Sequence, residues 1–283
     1  MDYHKDRFED YSLMCYNFDE LVAVFPANVS KSVMYSHRGL TYGGLVMKSD
    51  FYLKEAEQIM DALLKFIKQK DINTVIIKPI PEFYTSKSSR QLEHVLKRKY
   101  TDIVQKNRVL ALNYNSDFRI YKSKLKRYRK FDSGHFQIKS ETKQFDIFWR
   151  ELLEPRLQEK YKTSPVHKLN EILQLHNAFP DQIEQYNLFK EELLLAGITI
   201  FKTKKVVKSQ YGMASKLGEK LGALDMLFVH LIKRFEKEEF QYFSMGSVND
   251  DSEKGYNEGM LKQKQEFGCE VYIQPIYQLK LNG

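Results

Sequence analysis

Three stretches of the 283-residue chain carry side chains in patterns that can do chemistry. The first is FRIYKSKLKRYRKF, Phe118 to Phe131, in which seven of fourteen residues are cationic (Arg119, Lys122, Lys124, Lys126, Arg127, Arg129, Lys130) and none is acidic. Phe118, Tyr121, Leu125 and Tyr128 fall 3, 4 and 3 residues apart, which places them on one helical face. Such a helix can face phosphates, of a nucleic acid or of a phosphorylated ligand, or can be a solvated surface helix. Both readings are open. The second stretch is SQYGMASKLGEKLGALD, Ser209 to Asp225, which reads as a strand end, a glycine-containing loop and a helix starting near Gly222–Ala223. Amide N–H groups at a helix start lack intrahelical acceptors and the dipole there favours an anion. The stretch is therefore a candidate phosphate cradle, and equally a plain strand-to-helix turn. The third begins at Phe243 with FSMGSVNDDSEKGYNEGMLKQKQEFG, in which a strand ends at Gly246 and a helix carries Lys262 and Lys264. Between them lie Asp250, Asp251 and Glu253, which are candidate bases or a solvated acidic loop.

Other chemistries leave no trace. HExxH, GxSxG, the P-loop and GxGxxG are all missing. The histidines, His4, His37, His94, His135, His167, His176 and His230, share no ligand spacing and read as surface or boundary residues, so no metal is expected. Cys15 and Cys269 are the two cysteines, with no framework spacing; Cys269 reads as a buried thiol, and a reducing cytoplasm is the default. The formal charge is +8, with 42% hydrophobic and 29% charged residues, an ordinary globular balance. The longest apolar run, Leu193 to Phe201, is about half of what a membrane helix needs. The first dozen residues contain no apolar signal segment, so a cytoplasmic location is expected.

The elements that must position these residues alternate in type. Short strands are expected at 12–17, 20–26 and 33–36, followed by the loop HRGLTYGG with Gly39, Gly43 and Gly44. Helical periodicity over 53–70 precedes the buried strand TVII at 74–77, then a helix at 86–99 and a strand at 109–114, after which Asp117 is placed to cap the basic helix. A strand at 135–139 leads into a helix over 143–161, which Pro155 should kink or end. A helix at 168–177, three antiparallel strands at 182–190, 192–203 and 206–214, and a strong helix bearing Leu221, Leu224, Leu227, Phe228, Leu231, Ile232 and Phe235 follow. A strand at 241–245, a helix at 254–267 and a strand at 270–279 complete the chain. The class is α+β.

On these residues the chain resembles the FemAB-like transferases and the related BioF2-like acetyltransferases of the GNAT superfamily. The resemblance is carried by LLLAGITIF with VVKSQYGMAS, by LGALDMLFVHLI, and by the spaced set Asn257, Gly259, Lys264, Phe267 and Gly268. LQLHNAFPDQIEQY, Leu173 to Tyr186, and FPANVSK…SHRGLTYGG, Phe25 to Gly44, extend it over most of the chain. It implies two tandem GNAT-like domains, 1–116 and 117–283, each a mixed and mostly antiparallel sheet flanked by helices. The first would lack its opening elements and the last strand would be shared with it. The implied activity is N-acyl transfer to an amine of a small molecule, an amino sugar or a cell-envelope precursor. The donor would be acetyl-CoA or another acyl-CoA.

Residue roles follow from the same resemblance. Lys264 would face a phosphate or the developing oxyanion, and the segment of Gln210, Tyr211, Gly212 and Met213 would face the acyl carbonyl. Lys216, Gly218, Lys220, Gly222, Ala223 and Asn257 would hold the cofactor. Tyr42, Gly43 and Gly44, with Arg38 before them, would line the acceptor groove. Gln263 departs from the family pattern, which has Phe before the lysine. Two rivals stay open. One is aminoacyl-tRNA as donor in peptidoglycan bridge formation, although no coiled-coil arm of the kind found in some tRNA-using members occurs. The other is a degenerate GNAT-fold module that only binds RNA or another anionic ligand.

Overall fold

In the computed structural model, residues 5–48, 51–85, 87–99, 102–133 and 135–281 are described. The chain forms two compact units, Met1–Arg108 with Tyr272–Gly283, and Val109–Val271. The changeovers fall inside two long strands.

Unit 1 opens with the hairpin β1 (Leu13–Asn17) and β2 (Glu20–Phe25), followed by β3 (Asn28–Ser30), β4 (Val33–Tyr35) and β5 (Val46–Met47). Helix α1 (Leu53–Lys68) and β6 (Thr74–Ile77) come next, then α2 (Lys87–Lys99) and β7 (Ile103–Asn113), whose last residues belong to unit 2. Strands β1, β2 and β5 make a small antiparallel sheet, while β3 pairs antiparallel with β4 and β4 runs parallel to β6. Helix α1 forms because Ala56, Met60, Leu63, Leu64 and Ile67 recur at helical spacing and all are buried. The Glu55 carboxylate accepts the Tyr52 N–H at 3.1 Å and ties down its first turn.

Unit 2 continues with α3 (Lys122–Ser133), β8 (Phe136–Lys139), α4 (Gln144–Ile147), a π turn over Phe148–Leu153, α5 (Glu154–Tyr161) and α6 (Leu169–Ala178). Strands β9 (Ile183–Lys190), β10 (Leu193–Lys202) and β11 (Val206–Ala214) form the expected meander. After it come α7 (Lys216–Leu221), α8 (Ala223–Lys237), β12 (Tyr242–Ser247), α9 (Glu258–Gln265) and β13 (Glu270–Lys280), most of which lies in unit 1, where it pairs antiparallel with β6. The unit 2 sheet has the order β7-β12-β11-β10-β9-β8, antiparallel except for β11 with β12. Its core lies between the sheet and α8, where Met226, Leu227, Val229, Leu231, Ile232 and Phe235 are buried against Leu188, Ile198, Val207 and Phe243. A second cluster, Phe145, Phe148, Trp149, Leu152 and Ile172, packs the helices α4 to α6 together with Ile183.

Several expectations need correction. The basic helix starts at Lys122, so Phe118 and Tyr121 precede it; Tyr121 donates its N–H to the Glu266 carbonyl and keeps an exposed side chain. Asp117 does not cap it, because its carboxylate pairs with Arg119 at 3.1 Å. Pro155 interrupts its helix as expected: the α-helical ladder gives way to a π turn over Phe148–Leu153, and α5 starts anew at Glu154 with the proline in its first turn, where an amide N–H is not needed for the ladder. The helix expected to begin near Gly222 is preceded by a separate one, because Ser215 caps α7 through the Gly218 N–H at 3.0 Å. Strand β7 begins at Ile103 instead of 109, and β3 and β5 were too short to show a pattern. Among the described residues, no helix is long and apolar enough to cross a membrane.

Candidate active site

Strands β11 and β12 run parallel for three pairs only: Val206 with Tyr242, Val207 with Phe243 and Lys208 with Ser244. The ladder stops there, although β11 continues to Ala214 and β12 to Ser247. At the point of parting, the Ser209 hydroxyl donates to the Ser244 carbonyl at 3.4 Å. On its other edge, β11 changes register against β10: Tyr211 faces Thr199 while Ser209 faces Ile200, leaving Gln210 as a bulged residue. A bulge bends and twists its strand, which drives it away from β12. Past Lys208, no ladder continues between β11 and β12 among the described residues, and the two strands part there.

The other wall is held by Lys264. Asn257 caps α9, accepting the Met260 N–H at 2.9 Å and donating its own N–H to Val248 at 2.8 Å. That anchorage carries Lys264 inward at the last turn, with 7% of its surface exposed. Its Nζ donates to the Ser247 carbonyl at 2.9 Å and to the Gly246 carbonyl at 3.4 Å, both at the end of β12. Burial pushes the ammonium down from the ordinary 10.5 to about 8, against a smaller upward pull from Cys269. Cys269 itself is buried and free, and burial pushes its thiol up to about 12, far from a reactive thiolate.

Alternation along β11 sends its side chains to opposite faces. Around Gly212 stand Phe228 and Leu224 of α8, at 3.5 and 3.8 Å from where a Cβ would be. Tyr211 and Met213 join the cluster under α4 to α6. The Tyr211 ring stands edge-on to Trp149, with centroids 5.3 Å apart, and its hydroxyl accepts the His167 N–H at 3.1 Å. The same oxygen lies 2.6 Å from His167 Nδ1. Trp149 holds the loop in turn, its Nε1 donating to the His167 carbonyl at 3.0 Å. Sequence reading grouped His167 with the surface or boundary histidines and did not link it to Tyr211. It stands 44 positions from Tyr211, and no local spacing links the two.

The expected cofactor residues divide. Gly218 lies within α7, where an added Cβ would stand 2.0 Å from the Leu195 carbonyl oxygen, so it serves the packing of α7 on β10. Gly222 takes φ +71° between the two helices, with the Arg127 side chain filling the space beside it. Ala223 is fully buried. Lys216 pairs with Glu159 at 2.5 Å, and Glu219 is bonded by Arg156 at 2.7 Å and Lys160 at 3.3 Å; Lys220 is exposed. The basic helix is partly consumed by structure. Lys124, 5% exposed at its side chain, reaches Asp225 at 3.0 Å and Glu266 at 3.3 Å, and Arg127 also bonds Asp225. The Asp250 carboxylate is taken up in its own turn by the Ser252 N–H and hydroxyl, at 3.1 and 2.5 Å.

The acceptor candidates lie in unit 1. Gly43 donates to the Lys78 carbonyl at 2.8 Å, Tyr42 packs on Tyr84 with centroids 5.0 Å apart, and the Arg38 guanidinium stands 3.7 Å over the Tyr35 ring. Gly44 is buried at φ +98°.

No protein-family model and no curated protein sequence matches the chain. Solved structures do. FemX superposes with a TM-score of 0.70 at 11% identity, over 99% of this chain and 90% of that one. The chain has the FemX fold. A DUF2156 domain from Agrobacterium fabrum, named for lysylphosphatidylglycerol synthetase, gives 0.62 at 11% identity over 100% and 90% of the two chains. A tandem GNAT protein of the clavulanic acid pathway gives 0.50 at 10% identity over 98% and 86%. The expected α+β class and the tandem GNAT-like architecture that the resemblance implied are therefore the observed ones, and the FemAB-like resemblance holds at the level of fold.

Proposed function

We propose that the protein is an N-acyltransferase, moving an acyl or aminoacyl group from an activated donor to an amine. The observation that carries this is the parting of β11 from β12 beside the bulge at Gln210. Transfer of this kind needs little covalent machinery from the protein. A neutral amine attacks the carbonyl of a thioester or ester, so holding the two reactants in line supplies much of the rate. Backbone groups of Gln210 to Met213 would grip the donor's acyl end in the gap. Lys264, with two of its three N–H bonds spent on Gly246 and Ser247, would place positive charge where the carbonyl oxygen gains negative charge. The acceptor would be an amine of a small molecule, an amino sugar or a cell-envelope precursor.

Acetyl-CoA or another acyl-CoA is the first donor to consider. A second reading, aminoacyl-tRNA, is favoured by the filled turn at Gly218 to Ala223. Its glycines are spent on packing, and the carboxylates of Glu159 and Glu219 flank α7, which leaves little for a pyrophosphate. Thermal unfolding with acetyl-CoA, CoA, charged tRNA, uncharged tRNA and ATP separates the readings. A donor at 100 times its Kd stabilises by about 2.7 kcal/mol. A shift with acetyl-CoA and none with ATP supports the CoA donor, and a shift specific to charged tRNA supports the second. No shift with any donor, at millimolar CoA species and micromolar tRNA, defeats the transferase reading.

A further inference from the structure

The cleft between β11 and β12 has walls for a donor, but an acceptor amine must also lose a proton. Asp250 does not serve, since its carboxylate is held in a turn by Ser252. Lys264 is a donor to two carbonyls. Cys269 is a buried thiol. One pair of titratable side chains stands beside the bulge and is used by nothing described so far. It is Tyr211, the residue directly after Gln210, with His167 from the loop between α5 and α6.

We propose that Tyr211 and His167 form the proton relay of the transfer, with His167 as the terminal base. The inference rests on the transferase reading above. Three contacts build the pair. The His167 N–H donates to Tyr211 Oη at 3.1 Å, Nδ1 lies 2.6 Å from the same oxygen, and the two rings meet edge to face with centroids 5.9 Å apart. With Oη accepting the backbone N–H, the relay assigns its own proton to Nδ1. That makes His167 the tautomer protonated at Nε2. Trp149 fixes both partners, by its bond to the His167 carbonyl and by its edge contact with the Tyr211 ring. Both side chains are half-buried and neither is sealed in the core.

The step balances as follows. The amine nitrogen bonds to the donor's carbonyl carbon, and the C–S or C–O bond of the donor breaks. As the new C–N bond forms, the amine's proton passes to Tyr211 Oη while the tyrosine's proton passes to His167 Nδ1, giving an imidazolium. The leaving thiolate or alkoxide is protonated from solvent, and the imidazolium returns its proton to solvent. The products are the amide and a thiol or alcohol, and no oxidant or reductant is involved.

Tyr211→Phe is the cleaner variant, since it removes one oxygen and keeps the ring against Trp149; His167→Gln is the second. With the donor that the wild type turns over and an amine in excess, each should lower kcat by about 100-fold or more, in the range general-base catalysis supplies. The donor's KM should stay unchanged. The acid limb of the wild-type pH profile, which reports protonation of His167, should vanish in His167→Gln. Nitrogen NMR of the free wild-type protein should show Nδ1 as the unprotonated nitrogen at neutral pH, and Tyr211→Phe should change its shift. Variants that keep kcat and the acid limb overturn the relay while leaving the transferase standing, as does a wild-type Nδ1 that carries the proton. A wild type that turns over neither acyl-CoA nor aminoacyl-tRNA overturns the transferase, and the relay with it.

Discussion

Replacing Lys264 by Met should change how stability depends on pH, in a direction and amount fixed by the burial of the ammonium. In the folded chain the group titrates at about 8, against 10.5 for an ordinary lysine, mainly because it is desolvated. Between these values the unfolded chain holds a proton that the folded chain has lost. The unfolded state therefore binds more protons, and stability rises with pH across this window. At about 1.4 kcal/mol for each tenfold change in proton affinity, the gap corresponds to about 3 kcal/mol. It is absent below pH 8 and complete above 10.5. Lys264→Met has no such gain. The wild-type stability minus that of the variant should thus climb by about 3 kcal/mol from pH 7 to pH 10.5. Urea unfolding followed through Trp149, the one tryptophan and fully buried, reads this in the unit that contains Lys264. A difference that stays level over that range would refute the reasoning, and would mean that Nζ reaches water in solution.

Other perturbations have equally direct readings. Asp225→Ala leaves the buried Lys124 with Glu266 as its remaining carboxylate, and should cost about 3–5 kcal/mol in urea unfolding; combining Asp225→Leu with Lys124→Met should restore most of it. Gly218→Ala forces a Cβ against the Leu195 carbonyl and should destabilise by about 1–3 kcal/mol or more, measured by the same assay. A thiol reagent at pH 8 should leave Cys269 unmodified in the native protein and react with it once urea unfolds the chain, as peptide mass analysis would show.

What could be read ahead of the structure was periodic. The α1 stripe, the TVII strand, the three-strand meander and the α8 stripe each repeat a simple spacing, and each became the expected element. Lys264 stands inward on a capped helix, where its lowered pKa sets it apart from the solvated Lys262 two residues before. The losses have physical causes. The segment 215–222 holds two glycines that read as a loop, yet Ser215 supplies a cap and Gly218 makes room against β10, so a short helix forms. The cations of α3 look alike in sequence, and the carboxylates of Asp225 and Glu266, a hundred residues or more later, draw Lys124 inward, while Arg127 bonds Asp225 and stays exposed. His167 and Tyr211 meet through tertiary packing alone. The bulge at Gln210 depends on the pairing of two strands, which a pattern in one strand cannot express.

The allocation of strands has a consequence in time. β6 finds an antiparallel partner in β13, the last strand of the chain, whereas the residues of unit 2 are continuous from Val109 to Val271. On the ribosome, β6 is finished about two hundred residues before the strand that covers one of its edges. Through that interval the TVII edge is open to pairing with other chains, the condition under which nascent β proteins aggregate. Unit 2 can complete its own sheet first, so the polypeptide closes its earliest-made half last, and newly made chains depend on whatever shields β6 until the C-terminal residues emerge.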